Sequence, residues 1–206
     1  MKYPIHRRHI AGTETLIVDA PLDGTLTNSL GNQYTVAVNS GASPTWVTDG
    51  GRQVLENTQT GSSSRTLTIR ESGNFLSTQN YIIEFEFNLN SLTTNQVIFT
   101  MRAGQDVTGA KLYNKGSGSF GFGTDYVGSG STLSTTGNIS LSAGTWYKIR
   151  FEVSQNAGSI TINGQTISYT VTGVGAWMLL IIGALQMSNF ANPIMGKIKN
   201  IKVWKL

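Results

Sequence analysis

The sequence predicts an all-β fold, a two-sheet antiparallel β-sandwich of jelly-roll type. Apolar and polar residues alternate in short segments, which is the pattern of strands with one buried face. Turn-forming residues separate these segments, and no stretch has helical periodicity. The 24 glycines and the charged fraction of only 13% also favour strands and tight turns over helices. A chain of 206 residues fits one such sandwich.

Residues 146–171 predict an antiparallel three-strand meander. One parity of its first strand carries Lys148, Arg150 and Glu152 and is expected to face water. The other parity is apolar and is expected in the core: Tyr147, Ile149, Phe151 and Val153. Asn163-Gly164 then supplies the two positive-φ residues of a type I′ hairpin turn, and the alternation resumes after it.

Six further strands are predicted before this meander, at residues 16–18, 34–38, 45–47, 67–69, 81–89 and 97–101. The glycine- and serine-rich stretch 116–130 is either a linker or contains a strand. The period-2 spacing of Phe120 and Phe122 within it favours the strand.

Two features are predicted after the meander. The apolar run 174–185 is much shorter than the ~20 residues of a membrane helix, so a buried strand is expected there and no membrane insertion. In the last segment, Ile198 and Ile201 differ in parity across Asn200, which predicts a β-bulge.

The expected domain division is a basic N-terminal arm, residues 1–12, followed by a sandwich, residues 13–206. The arm carries side chains suited to anchoring on a partner: His6, Arg7, Arg8 and His9. No hydrophobic stretch follows the first residues, so a secretory signal is not predicted. The net charge of +4 is modest, and no nucleic-acid partner is expected. Cysteine is absent, and two histidines on an arm do not make a metal site.

Three motifs, in this order, resemble the concanavalin A-like superfamily and, within it, the laminin G-like domains. The first is Leu-Asp-Gly at 22–24 with Asn-Ser-Leu-Gly-Asn at 28–32, where Asn28 stands in place of the usual Asp. The second joins the strand at Trp146 to the Asn163-Gly164 hairpin, and the third is the closing Gly-Lys-Ile strand from Gly196. The resemblance implies the sandwich fold and leaves function open among lectins, glycan-cleaving enzymes, adhesion modules and viral coat proteins.

The sharpest catalytic candidate is the acidic pair Glu84 and Glu86, since glycosidases of the resembling superfamily carry alternating acids on one strand. Their expected separation of ~7 Å along the strand fits an inverting glycosidase. The resembling enzymes place a further acid where this chain has Asn88, which cannot donate a proton. We expect Lys148 and Arg150 on a neighbouring strand to pair with the two carboxylates, so no catalytic residue is predicted.

Glycan binding calls for exposed aromatic rings near polar groups, and rim loops of a sandwich are where such residues usually lie. The candidates are Trp46, Tyr113, Asn114, Asp125 and Tyr126. No cofactor is expected. Calcium stays open as an alternative, because laminin G-like domains often hold one, but the aspartates here are scattered singly and turn capping is favoured.

The first functional hypothesis is a non-enzymatic bacteriophage virion protein, a capsid decoration or fibre component whose sandwich binds glycans. It rests on a fold usually found outside cells, a start without an export signal and a basic arm. Other virion proteins and cell-surface or mucosal glycans are then the expected partners, with a homo-oligomer left open. The alternative is a free carbohydrate-binding module of a secreted, extracellular protein, and a glycoside hydrolase is less favoured.

Overall fold

Two antiparallel β-sheets make up the described part of the computed structural model, which confirms the predicted all-β fold. The structure describes residues 13–38, 43–57, 67–71, 80–92, 97–102, 110–114, 119–124, 134–135, 139–154, 157–170, 179–182 and 195–206. Over these ranges, no helix is long and apolar enough to cross a membrane.

The larger sheet has nine strands in the described residues. In spatial order they are β10 (Ser134–Thr135), β14 (Gln165–Thr170), β13 (Ala157–Ile162), β12 (Trp146–Ser154), β6 (Tyr81–Leu89), β16 (Gly196–Lys205), β4 (Arg52–Asn57) and β3 (Thr45–Asp49), with β1 (Thr15–Ala20) also paired to β16. The predicted meander is confirmed as β12, β13 and β14. Its turn has positive φ at Asn163 (46°) and Gly164 (83°), as a type I′ turn requires.

The smaller sheet has seven described strands. Their spatial order is β11 (Ile139–Ser140), β9 (Ser119–Thr124), β8 (Ala110–Asn114), β7 (Val97–Arg102), β15 (Leu179–Ile182), β5 (Leu67–Glu71) and β2 (Tyr34–Val38). The strand favoured around Phe120 and Phe122 is therefore present as β9. Of the apolar run predicted as a strand, residues 179–182 form β15, and the remainder lies outside the described residues.

Aromatic rings from both sheets meet in the core between them. Phe99 of the smaller sheet lies edge-on to Phe151 of the larger sheet, with ring centroids 4.6 Å apart. It also lies edge-on to Phe85, at 6.1 Å. All three side chains are at most 1% exposed. The inward parity of each sheet is therefore packed against the other sheet, as in a β-sandwich.

The predicted β-bulge in the last strand is confirmed. Asn200 has a φ of 55°, and the register of β16 against β6 shifts between Lys199 and Lys202. Before the bulge β16 pairs with β4, and after it β16 pairs with β1. The backbone N–H of Asn200 donates to the carbonyl of Pro21, in the loop that follows β1. The extra residue thus lets one long strand change its neighbour.

Sequence reasoning missed the strand β4. The prediction ended the preceding strand at Gly50-Gly51, but these two residues are the turn of a β3–β4 hairpin, with φ of 59° and 78°. In β4 the consecutive residues Val54 and Leu55 are both buried, so the strand lacks the alternation that marks a single buried face. The short strands β10 and β11 and the strand β8 were also not predicted.

Candidate functional site

The acidic pair of β6 lies on the outer face of the larger sheet, and its carboxylates are held by cations. The register places Arg150 opposite Glu84 and Lys148 opposite Glu86. Arg150 donates to one oxygen of Glu84 at 2.8 Å, and the Lys148 ammonium lies 2.8 Å from the other oxygen. The predicted cross-strand ion pairs are present for Glu84, on which both basic side chains converge, whereas Glu86 pairs with Lys199 of β16 instead.

These partners keep Glu84 ionised. Burial favours its neutral form, but the hydrogen bonds from Lys148 and Arg150 outweigh burial and lower its pKa below the ordinary value. Glu86 accepts a hydrogen bond from the Asn200 amide at 2.6 Å, and the Lys199 ammonium lies 3.4 Å from its second oxygen. Glu84 therefore lacks the raised pKa that a general acid for glycoside cleavage needs, and both oxygens of Glu86 are engaged by Asn200 and Lys199.

Two tryptophans lie half-buried on the same outer face, one on β12 and one on β16. The ammonium of Lys199 sits 3.9 Å from the ring centroid of Trp146, and the guanidinium of Arg150 sits 5.9 Å from that of Trp204. Sequence reasoning did not single out either ring, although each has the same parity as the charged residues of its strand. Because cations of the protein itself lie over these rings, the larger sheet is a poor platform for an external ligand.

Asp49 completes the ion pairs on this face. Its carboxylate lies 2.7 Å from the ammonium of Lys197. That hydrogen bond is the main reason why the pKa of Asp49 is lowered. The outer face of the larger sheet thus carries a ladder of paired acids and bases.

Three of the residues predicted to bind glycans are described by the structure, and they lie on different sheets. Trp46 lies in β3 and packs against the core from the sheet edge. Tyr113 and Asn114 are the last two residues of β8, in a strand and not in a rim loop. Tyr113 pairs with Gly121, and Asn114 pairs with Phe120. The other two candidates, Asp125 and Tyr126, lie outside the described residues, as do the anchoring candidates His6, Arg7, Arg8 and His9.

The outer face of the smaller sheet can be traced from its register. Along β5, Leu67 and Ile69 belong to the core, so Thr68 and Arg70 have the opposite parity. One row across this face consists of Ala37, Thr68, Ile181, Thr100, Lys111 and Gly123. Two residues further along the strands, Thr35 pairs with Arg70 and Leu179 pairs with Arg102. On the other side of the first row, Tyr113 pairs with Gly121. We call these residues the smaller-sheet outer face.

The loop between β1 and β2 is held by the amide of Asn28, which stands where the resembling motif usually has Asp. Asn28 Nδ2 lies 3.2 Å from the Ile17 carbonyl, 2.8 Å from Asn32 Oδ1 and 3.1 Å from the Tyr34 carbonyl. Its Oδ1 accepts from the backbone N–H of Asp19 at 3.0 Å. Within the described ranges, no group of three or more His, Cys, Asp or Glu side chains could hold a metal ion.

A laminin G family model, described as the concanavalin A-like lectin/glucanases superfamily, matches residues 59–206. The chain belongs to this superfamily. No curated protein matches the chain.

Solved structures share the lectin-like sandwich fold of this superfamily member. Domain 4 of AbnA, a GH43 extracellular arabinanase from Geobacillus stearothermophilus in complex with arabinotriose, has a TM-score of 0.67 and 19% identity, and 93% of each chain is covered. The binding domain of botulinum neurotoxin DC in complex with SialylT has a TM-score of 0.59 and 13% identity, with 92% of this chain and 47% of that chain covered. The binding domain of Paraclostridial Mosquitocidal Protein 1 has a TM-score of 0.57 and 14% identity, with 92% and 48% covered.

The superfamily member therefore spans about half the length of these toxin binding domains. At such identities the likeness establishes the fold alone.

Proposed function

We propose that this chain is a non-catalytic carbohydrate-binding domain, and that the β8–β9 part of the smaller-sheet outer face binds the sugar. The observation that carries the proposal is the pairing of β8 with β9, in which Lys111 and Tyr113 stand opposite Gly123 and Gly121. Glycine has no side chain, so the register sets an aromatic and a basic residue of β8 opposite two positions of β9 that carry no side chain. A sugar presents C–H groups that pack on an aromatic ring and hydroxyls that bond polar groups, and sites of this kind combine both.

The larger sheet supports the non-catalytic part of the proposal. A retaining or inverting glycosidase needs one carboxyl that can protonate the leaving group. Glu84 is held ionised by Lys148 and Arg150, and Asn88 occupies the position of the further acid. The ligands in two of the similar structures, arabinotriose and SialylT, also favour a sugar-binding role.

Isothermal titration calorimetry, guided by a glycan array, tests this proposal. Wild-type protein is expected to bind a defined oligosaccharide without cleaving it, and Tyr113→Ala is expected to lose at least tenfold in affinity. Lys148→Gln is the matched control, because this side chain is 61% exposed on the opposite sheet, and it should bind as wild type does. If Tyr113→Ala binds the sugar as tightly as wild type does, the binding site lies elsewhere. If wild type cleaves the sugar and Glu86→Gln does not, the protein is a glycosidase.

The biological setting is a separate part of the proposal. A capsid decoration or fibre component of a virion would use residues 1–12 to anchor the domain and would present the sugar-binding face outward. A free carbohydrate-binding module of an extracellular protein would use the same face without the anchor. Deletion of residues 1–12 separates these settings: particles that still carry the shortened protein at full occupancy would contradict the anchoring role.

A further inference from the structure

We propose that Asn28 and Asn32 form a lock that closes the open edges of β1 and β2 against the addition of a strand from a second copy of this chain. Each of the two strands has a single partner strand in the described residues: β1 pairs with β16, and β2 pairs with β5. The inference concerns self-association and does not depend on the proposed sugar binding.

The lock covers three backbone groups of β1. The carbonyl of Ile17 accepts hydrogen bonds from Asn28 Nδ2 at 3.2 Å and from Asn32 Nδ2 at 3.0 Å. The N–H of Asp19 donates to Asn28 Oδ1 at 3.0 Å, and the carbonyl of Asp19 accepts from the N–H of Ser29 at 2.8 Å. Because these groups bond the β1–β2 loop and not β16, they lie on the side of β1 where a further strand would pair.

The same two side chains cover the first residue of β2. The N–H of Tyr34 donates to Asn32 Oδ1 at 3.0 Å, and its carbonyl accepts from Asn28 Nδ2 at 3.1 Å. Asn28 Nδ2 also donates to Asn32 Oδ1 at 2.8 Å, which joins the two amides. One connected pair of amides therefore bridges β1 of the larger sheet and β2 of the smaller sheet.

Both strands have the composition of an edge that attracts other strands. The strand β2 reads Tyr-Thr-Val-Ala-Val and contains neither a charged residue nor a proline, and β1 contains the apolar run Leu-Ile-Val and one acid. Open edges of this kind are templates for strand addition, and natural proteins protect them with lysine, proline, bulges or a covering loop. In β2 the sequence provides no lysine or proline, so the protection has to come from the loop that precedes it.

The second copy would pair through β2. Backbone groups of alternate residues point to the same side of a strand, so Val36 and Val38 follow Tyr34 in facing the open edge. With Tyr34 covered by the lock, an incoming strand loses the first of these three positions. Two β2 strands related by a two-fold axis would pair antiparallel, and no like charges would meet, because β2 is uncharged.

Substitution of Asn32 tests the lock. Asn32→Ala removes the bonds from this side chain to the Ile17 carbonyl and to the Tyr34 N–H. Size-exclusion chromatography with light scattering should then show a species of about twice the wild-type mass, in a fraction that rises with protein concentration. Native-state hydrogen exchange should show a less protected Tyr34 amide in the dilute variant.

A second substitution should reverse the association. Ala37 is exposed on β2, and a lysine on an edge strand opposes strand addition. Asn32→Ala combined with Ala37→Lys is therefore expected to return to the wild-type mass. If Asn32→Ala does not fold, Asn32→Asp carries the test, because it keeps an acceptor for the Tyr34 N–H and loses the donor to Ile17.

Two controls separate the lock from other causes of association. Ser29→Ala changes the same loop but keeps the backbone N–H that bonds Asp19, so it should have the wild-type mass. Phe99→Leu weakens the core without touching the lock, and it should also have the wild-type mass. A folded Asn32 variant that keeps the wild-type mass at every concentration would overturn the inference. Association that Ala37→Lys does not reverse, or that Phe99→Leu reproduces, would overturn it as well and would leave the sugar-binding proposal standing.

Discussion

Substitution of Phe99 tests the contact between the two sheets. Its ring is fully buried and lies edge-on to Phe151 and to Phe85, which belong to the opposite sheet. Phe99→Ala removes the ring and leaves a cavity, and such a change costs about 3–5 kcal/mol. Each lost edge contact accounts for about 0.5–1.5 kcal/mol of that cost.

The expected loss is large but leaves the protein folded, because domains are stable by about 5–15 kcal/mol. For a chain of this length each kcal/mol lowers the melting temperature by about 2–4 °C, so Phe99→Ala should melt about 6–20 °C below wild type. Phe99→Leu retains much of the apolar volume and should lose less. Urea unfolding and scanning calorimetry measure both variants.

A double-mutant cycle with Phe151→Ala isolates the ring contact, and the coupling energy between the two substitutions should be about 0.5–1.5 kcal/mol. Leu30→Ala is the matched control, since Leu30 is 41% exposed and its loss should change stability by no more than about 0.5 kcal/mol. A loss below about 1 kcal/mol for Phe99→Ala, as for a surface change, would refute the packing of the two sheets through this ring.

Two further predictions concern the larger sheet and the β1–β2 loop. Because the folded-state pKa of Glu84 is lowered, its ion pairs stabilise the protein at neutral pH, and that contribution is lost as the pH falls below the ordinary value of 4.5. Melting temperatures measured from neutral to acidic pH should therefore fall less in Glu84→Gln than in wild type, and identical slopes would contradict the ion pairing. Asn28→Asp replaces the Nδ2 donor, which faces three acceptor oxygens, with a carboxylate oxygen. The substitution should lower the free energy of unfolding by about 1–3 kcal/mol. Calcium should restore part of that loss, because it binds oxygen ligands, and a variant as stable as wild type without calcium would contradict the role of the amide.

The strands with one buried face could be read from the sequence. In β6 and β12 the apolar parity contains Phe85 and Phe151, and both are in the core as predicted. The parity change around Asn200 located the bulge correctly. The ion pairing of Glu84 was also predictable. The strand β6 carries acids and β12 carries bases at alternate positions, and antiparallel neighbours bring such positions opposite each other.

Strands covered on both sides could not be read in the same way. Val54 and Ile82 are buried at 1% and 2% exposure, yet neither belongs to the core cluster between the sheets. They have the outward parity of β4 and β6, so the outer face of the larger sheet is also covered at these two positions. Where both faces of a strand are covered, apolar residues stop alternating and the period-2 pattern is lost. That is why β4 was missed.

The candidate sugar-binding face depends on contacts that no local pattern specifies. Its rows join residues from β2, β5, β15, β7, β8 and β9, in which β15 lies between strands that are distant from it in the chain. Tyr113 was a candidate from its residue type, but its partner Gly121 became evident only from the strand register.

The ion pairs around Glu84 bear on function more than on stability. Exposed ion pairs contribute only about 0–1 kcal/mol each, so the ladder around Glu84 adds little to folding. Its effect is to hold the two oxygens of Glu84 against Lys148 and Arg150, which keeps this carboxylate ionised and unsuited to protonating a leaving group.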